Sequence, residues 1–128
     1  ILVTGGGSLL GQGIIKALKK INKNFYLIVV DVNPLSAGLF WGDEKYLIPM
    51  ANSEVYLESI KKLLQKTKPD FVFIGTDVEL LHFAENKKIL ESEFNTKIIV
   101  SNSDVIKIAD DKFKTASFNF RKRFSINR

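Results

Sequence analysis

The chain of 128 residues has no cysteine, a single histidine, one methionine and one tryptophan. Without cysteine, a disulfide scaffold and any thiolate metal site are excluded. A lone His82 leaves little material for a zinc site or a Ser-His-Asp arrangement, so no metal ligands and no catalytic residues are assigned. Long hydrophobic runs are also missing. No apolar stretch is long enough to span a bilayer, and no secretory leader is read ahead of the first strand. The expectation is a cytoplasmic protein with no membrane partner. Internal repeats and low-complexity segments are absent as well, and the length suits one domain with a real core.

The formal charge of +5 is unevenly placed. Beyond residue 109, Lys112, Lys114, Arg121, Lys122, Arg123 and Arg128 face only Asp110 and Asp111, so four of the five net positive charges lie in that last segment. A continuous basic face with interleaved aromatics is lacking, which argues for a solvated terminal segment and against a nucleic-acid partner.

What is present is alternation. Short apolar runs at Ile1–Thr4, Phe25–Asp31, Tyr46–Ile48, Phe71–Ile74 and Lys97–Val100 alternate with helical patterns. Runs apolar throughout suit parallel strands covered on both faces. The first helix is expected to bury Leu10, Ile14, Leu18 and Ile21, with lysines at its cationic end. The second opens near Asn52-Ser53, carries Tyr56, Ile60, Leu63 and Leu64 inward, and stops before Pro69. The third opens at Thr76 and turns Leu80, Leu81 and Ala84 inward. After the second strand, Asn33-Pro34 starts like a helix, but Gly38 and Gly42 allow at most a turn or two. Ser101–Ala109 and the Phe113, Ala116, Phe120 spacing read as further helix. The pattern predicts an α/β fold: a Rossmann-like, doubly wound parallel sheet of about five strands with helices on both faces.

Three places could carry chemistry. Gly5, Gly7 and Gly11 form G-x-G-x-x-x-G between the first strand and helix, a turn that suits an anion at a helix N-terminus or a tight turn without a ligand. It departs from the dinucleotide fingerprint because Leu10 stands where the third glycine belongs. Asp31 ends the second strand; it either holds a ligand hydroxyl or caps the turn at Asn33. Gly75-Thr76-Asp77-Val78-Glu79 ends the fourth strand at the ligand-binding edge of such sheets, although Thr76 and Glu79 also match a capping box, the role expected of Glu79. His82 reads as a surface or partly buried helical residue, and Phe40 and Trp41 as core or interface.

Taken in order, these segments resemble the N-terminal domain that precedes the ATP-grasp fold, in proteins similar to the carbamoyl-phosphate synthase large subunit. The match rests on Ile1-Leu2-Val3-Thr4-Gly5-Gly6-Gly7 with Gly11-Gln12, on the stretch from Asp31 to Gly38, and on Asp43 with Tyr46 and Pro49. It continues through Gly75 to Leu81 and through Ile108-Ala109-Asp110-Asp111-Lys112-Phe113-Lys114-Thr115. The resemblance implies a pre-ATP-grasp domain over 1–120, with 121–128 starting a linker to an ATP-grasp body. It implies an ATP-dependent carboxylate–amine ligase acting through an acyl phosphate, with ATP and Mg2+ bound in the full-length protein. Substrate binding would involve Gly5, Gly7, Ser8, Gly11, Asp31, Asn33, Thr76 and Asp77, with Lys112 reaching the nucleotide phosphates. The substrate is a small-molecule carboxylate or amine, and a homodimer is allowed. Because the chain opens inside a strand and no magnesium ligands of an ATP-grasp body are found, it is expected to be a fragment, inactive alone.

A rival from another class is the NAD(P)-binding domain of a dehydrogenase or epimerase. Against it, Ser8 replaces a glycine of the short-chain dehydrogenase loop. Its Tyr-x-x-x-Lys pair is also missing, since Tyr26, Tyr46 and Tyr56 are followed four residues on by Val30, Met50 and Ile60. A non-catalytic interaction module on the same sheet is the third reading.

Overall fold

The computed structural model describes residues 1–21 and 24–100. The expected helical patterns after residue 100, the proposed linker and Lys112 lie outside the described residues. Five strands, β1 (Leu2–Val3), β2 (Ile28–Asp31), β3 (Glu44–Leu47), β4 (Phe71–Phe73) and β5 (Lys97–Ile99), form one sheet in the order β3-β2-β1-β4-β5. All pairs are parallel; Leu2 stands opposite Ile28 and Val72, and Val3 opposite Val29 and Phe73. Helices α1 (Leu9–Ile21), α2 (Tyr56–Thr67) and α3 (Asp77–Phe94) make the crossovers, while β2 and β3 are joined only by a short 3-10 helix, Ala37–Trp41. The doubly wound α/β sheet predicted by the alternation is the one observed.

Strand alternation sorts the sheet residues onto two faces. Leu2, Ile28, Val30, Val72 and Ile98 join Tyr56, Ile60, Leu63, Leu64, Phe83 and Leu90 of α2 and α3 in the larger core. Val3 and Val29 face the other way, against Ile15 and Leu18 of α1 and Leu39 of the 3-10 helix. Each such side chain contributes about 1.5–3 kcal/mol when fully buried, so both faces hold helices firmly.

Several expectations shift. β2 begins at Ile28, leaving Phe25 and Tyr26 exposed, and the edge strand β3 begins two residues earlier than its aromatic run. In α1 the buried stripe is Gly11, Ile15 and Leu18; Leu10 and Ile21 point outward. The helix is rotated so that Gly11, which has no side chain, can press on the loop beneath it. In α3 the buried positions are Glu79, Phe83 and Leu90, with Leu81 and Ala84 only half-buried. The α2 face is as expected, although the helix starts at Tyr56 after turns at residues 51–55. It ends at Thr67; the capping Lys68 donates its N–H to the Leu64 carbonyl at 2.9 Å and turns left-handed (φ 46°) just before Pro69.

Candidate functional site

The chain runs outward from β1 to β2 and β3, then returns to β4 on the other side of β1. That reversal puts the switch point between the carboxyl ends of β1 and β4, where ligands bind in open α/β sheets. The two loops there are tied together: the Gly75 N–H donates to Thr4 Oγ1 at 3.1 Å, and the Ser8 hydroxyl lies 2.6 Å from the Gly75 carbonyl and 2.8 Å from that of Gly5.

The glycine loop is largely spent on this fit. Ser8 caps α1 through its Oγ, which accepts the Gly11 N–H at 2.8 Å. A side chain on Gly11 would run into the Gly5 carbonyl, and one on Gly38 into the Gly6 carbonyl. Backbone therefore lies directly on backbone at both places. Gly7 donates its N–H to Asp31 Oδ2 at 2.6 Å, and the Asn33 N–H goes to Asp31 Oδ1 at 2.9 Å. Asp31 is thus a buried clamp between two loops. Asn33 in turn accepts the Leu35 N–H at 3.0 Å, an Asx turn that leads into the 3-10 helix. A ribose reaching Asp31 would compete with two short backbone bonds. The Ser36–Gly38 segment also covers Gly6 and Gly7, where a dinucleotide would lie.

Beside this packed loop an open-mouthed cavity of about 110 Å3 remains. Gly5, held at φ +64°, forms one wall, with Asp31, Thr76 and Glu79 as its other polar residues. Val32, Met50 and Val78 are aliphatic wall residues and largely solvent-exposed. Of the residues expected to bind substrate, Gly5, Asp31 and Thr76 line this cavity. Gly7, Ser8, Gly11 and Asn33 serve the loop fit, and Asp77 lies exposed in the first turn of α3.

The capping role expected of Glu79 is not what its carboxylate does. Thr76 makes no side-chain capping bond, although the Glu79 N–H does reach the Thr76 carbonyl at 3.3 Å. Instead the Thr76 hydroxyl donates to Glu79 Oε2 at 2.6 Å, and the Tyr56 hydroxyl to Oε1 at 2.6 Å. Glu79 is only 4% exposed. Among the described residues no lysine or arginine pairs with it. Burial, reinforced by the adjacent carboxylate, pushes the Tyr56 phenol well above its usual range, so it stays a donor. Tyr56 itself is 1% exposed, with its ring tilted against His82 at 5.2 Å and edge-on to Phe83 at 6.4 Å. Sequence reasoning missed Glu79 as a wall residue and Tyr56 as its partner, because the capping spacing explained the acid locally and Tyr56 lies 23 residues away.

The cavity does not suit the phosphates of a nucleoside triphosphate. Its charged lining is acidic, and no group of three or more metal-ligating side chains occurs among the described residues. No described helix is long and apolar enough to cross a membrane.

No curated protein matches the chain. Solved structures share its fold. Glycinamide-RNase-transformylase T from Mycobacterium tuberculosis aligns with a TM-score of 0.64 at 14% identity, over 90% of this chain and 32% of that one. The biotin carboxylase domain of a thermophilic 2-oxoglutarate carboxylase, bound to bicarbonate, aligns with a TM-score of 0.64 at 18% identity, over 94% of this chain and 27% of that one. The chain therefore spans about a third or less of these proteins. At sequence level, residues 1–99 match the family described as PylC-like, N-terminal domain. With the match running from β1 through β5, the chain belongs to the PylC-like N-terminal domain family.

Proposed function

We propose that this domain serves, in its full-length form, an ATP-dependent ligase of the ATP-grasp class, and that its cavity anchors the ammonium group of an aliphatic amine substrate. Family membership and the fold shared with a transformylase and a biotin carboxylase support the ligase class. The observation that carries the substrate reading is Glu79, a buried carboxylate on the cavity wall with two neutral donors and no described cation. A buried charge left unpaired is costly, and a ligand cation offsets that cost. Asp31 on the same wall adds to the negative field, which disfavours a carboxylate ligand and favours an amine. The exposed Val32, Met50 and Val78 give that ammonium an aliphatic stem to lie against.

A protonated nitrogen has no lone pair, so the anchored ammonium is a handle and not the attacking nitrogen. The reaction class proposed is the carbamoyl-phosphate synthase-like one, in which a carboxylate is activated as an acyl phosphate and then attacked by a nucleophile. The described residues supply no step through ATP. Lys112, outside them, is proposed to meet the nucleotide phosphates in a cytoplasmic full-length enzyme. The test is ADP release by that enzyme with a panel of aliphatic amines and carboxylates. Glu79→Gln should raise the KM for the amine by about tenfold or more, the size of a lost charge-assisted bond, while the KM for ATP holds. An unchanged amine KM overturns the substrate reading.

A further inference from the structure

Glu79 is one of the few buried acids in the described chain, and its geometry depends on residues from two other positions. Tyr56 opens α2, Thr76 precedes α3, and both place a hydroxyl 2.6 Å from opposite oxygens of the same carboxylate. Each hydroxyl has one hydrogen, and each spends it on Glu79. The carboxylate is left with acceptor sites only, and its plane is set from both ends.

We propose that Tyr56 and Thr76 are positioning residues that fix the Glu79 carboxylate for an incoming ammonium and make the site selective against neutral alcohols. This rests on the amine reading of the cavity. The Tyr56 ring cannot swing away, because His82 and Phe83 pack against it and it has almost no exposure. Thr76 holds the solvent side of the pair, its methyl group beside Gly5 on the cavity wall. A hydroxyl ligand gains little from a carboxylate already fed by two hydroxyls, whereas an ammonium brings charge as well as hydrogens. The same clamp keeps the side chain from losing binding energy to its own rotamer freedom.

Butylammonium and 1-butanol serve as probes, titrated into the 128-residue chain while the Gly5, Thr76 and Glu79 amide signals are followed by NMR. Wild type should saturate with butylammonium and not with 1-butanol. Tyr56→Phe and Thr76→Val keep the shape of each side chain and remove only the clamp hydroxyl. Each should weaken butylammonium binding about threefold to tenfold, and neither should add to the loss caused by Glu79→Gln. A merely structural role would lower the unfolding midpoint and leave the dissociation constant alone. No butylammonium binding by wild type, or binding untouched by Glu79→Gln, overturns the amine reading and the clamp with it. Loss in Glu79→Gln, with wild-type affinity in a folded clamp variant, overturns the clamp alone. Should Tyr56→Phe fail to fold, Thr76→Val at the outer end of the carboxylate decides.

Discussion

The loop after β1 and the loop after β4 lie side by side at the carboxyl edge, yet they use their polar groups in opposite ways. In the first, the glycines bring backbone onto backbone, and the acid that faces them, Asp31, is taken up by two N–H groups. In the second, the acid is buried as deeply but takes its bonds from two side-chain hydroxyls, and both acids border the same cavity. A glycine-rich turn invites a ligand in the abstract. Here the turn is consumed in building the wall, and the residue that reads as a helix cap is held on that wall by two hydroxyls.

The largest effect expected from this contrast is at Gly11. A side chain there meets the Gly5 carbonyl, which cannot yield as a flexible side chain would. Gly11→Ala should cost ~3 kcal/mol or more of stability, the upper end of overpacking, measured by urea unfolding. Two residues on, a side chain at Gly13 meets nothing within 4 Å, so Gly13→Ala should instead stabilise by ~0.5–1 kcal/mol. Equal effects at the two glycines would erase the distinction between them.

The acids should separate next. Asp31→Asn turns an amide group toward one of two backbone donors and should cost ~1–3 kcal/mol. Glu79→Gln faces two hydroxyls that can turn to accept, so its stability should stay within ~1 kcal/mol of wild type while ligand binding falls. A reversed order of stability would mean that the clamp and the site have been misassigned.

A smaller effect is expected in alkali. The Tyr56 phenol is raised above its usual value of 10.0 by burial first and by the Glu79 charge second. A raised acid binds its proton more tightly in the folded state. Its contribution is therefore complete below the unfolded value and is lost as pH climbs beyond it. Stability should fall above about pH 10 more steeply in wild type than in Tyr56→Phe, as read from unfolding midpoints. Parallel curves would show that the phenol is not held. Smallest of all is the expected response to dinucleotides: neither NAD nor NADP should saturate the chain at low micromolar concentration, as measured by calorimetry, because Asp31 is engaged and the loop is covered. Clear saturation would restore the dehydrogenase reading.

Much of the fold was legible because its signals are local. The fully apolar Ile28–Val30 run, the α2 stripe of Tyr56, Ile60, Leu63 and Leu64, and the stop before Pro69 each follow from period or backbone chemistry within a few residues. The rotation of α1 was not legible. Leu10 and Ile21 look like a better stripe than Gly11 and Ile15 until the close approach of Gly11 to Gly5 is known. Likewise Asp31 carried two readings in the sequence, and only the Gly7 N–H, 24 residues away, selects the clamp.

The sequence by itself determined the alternation of strands and helices, and with it a parallel sheet whose switch point faces the glycine turn and Thr76. Hydrophobic period and right-handed crossovers leave few other arrangements. What only the tertiary structure decided is which polar groups remain available at that edge. Hydrogen-bond capacity is finite, and partners distant in the chain claim it. Gly7, 24 residues away, takes one oxygen of Asp31, and Tyr56, 23 residues away, takes one oxygen of Glu79, while the neighbours Asn33 and Thr76 take the others.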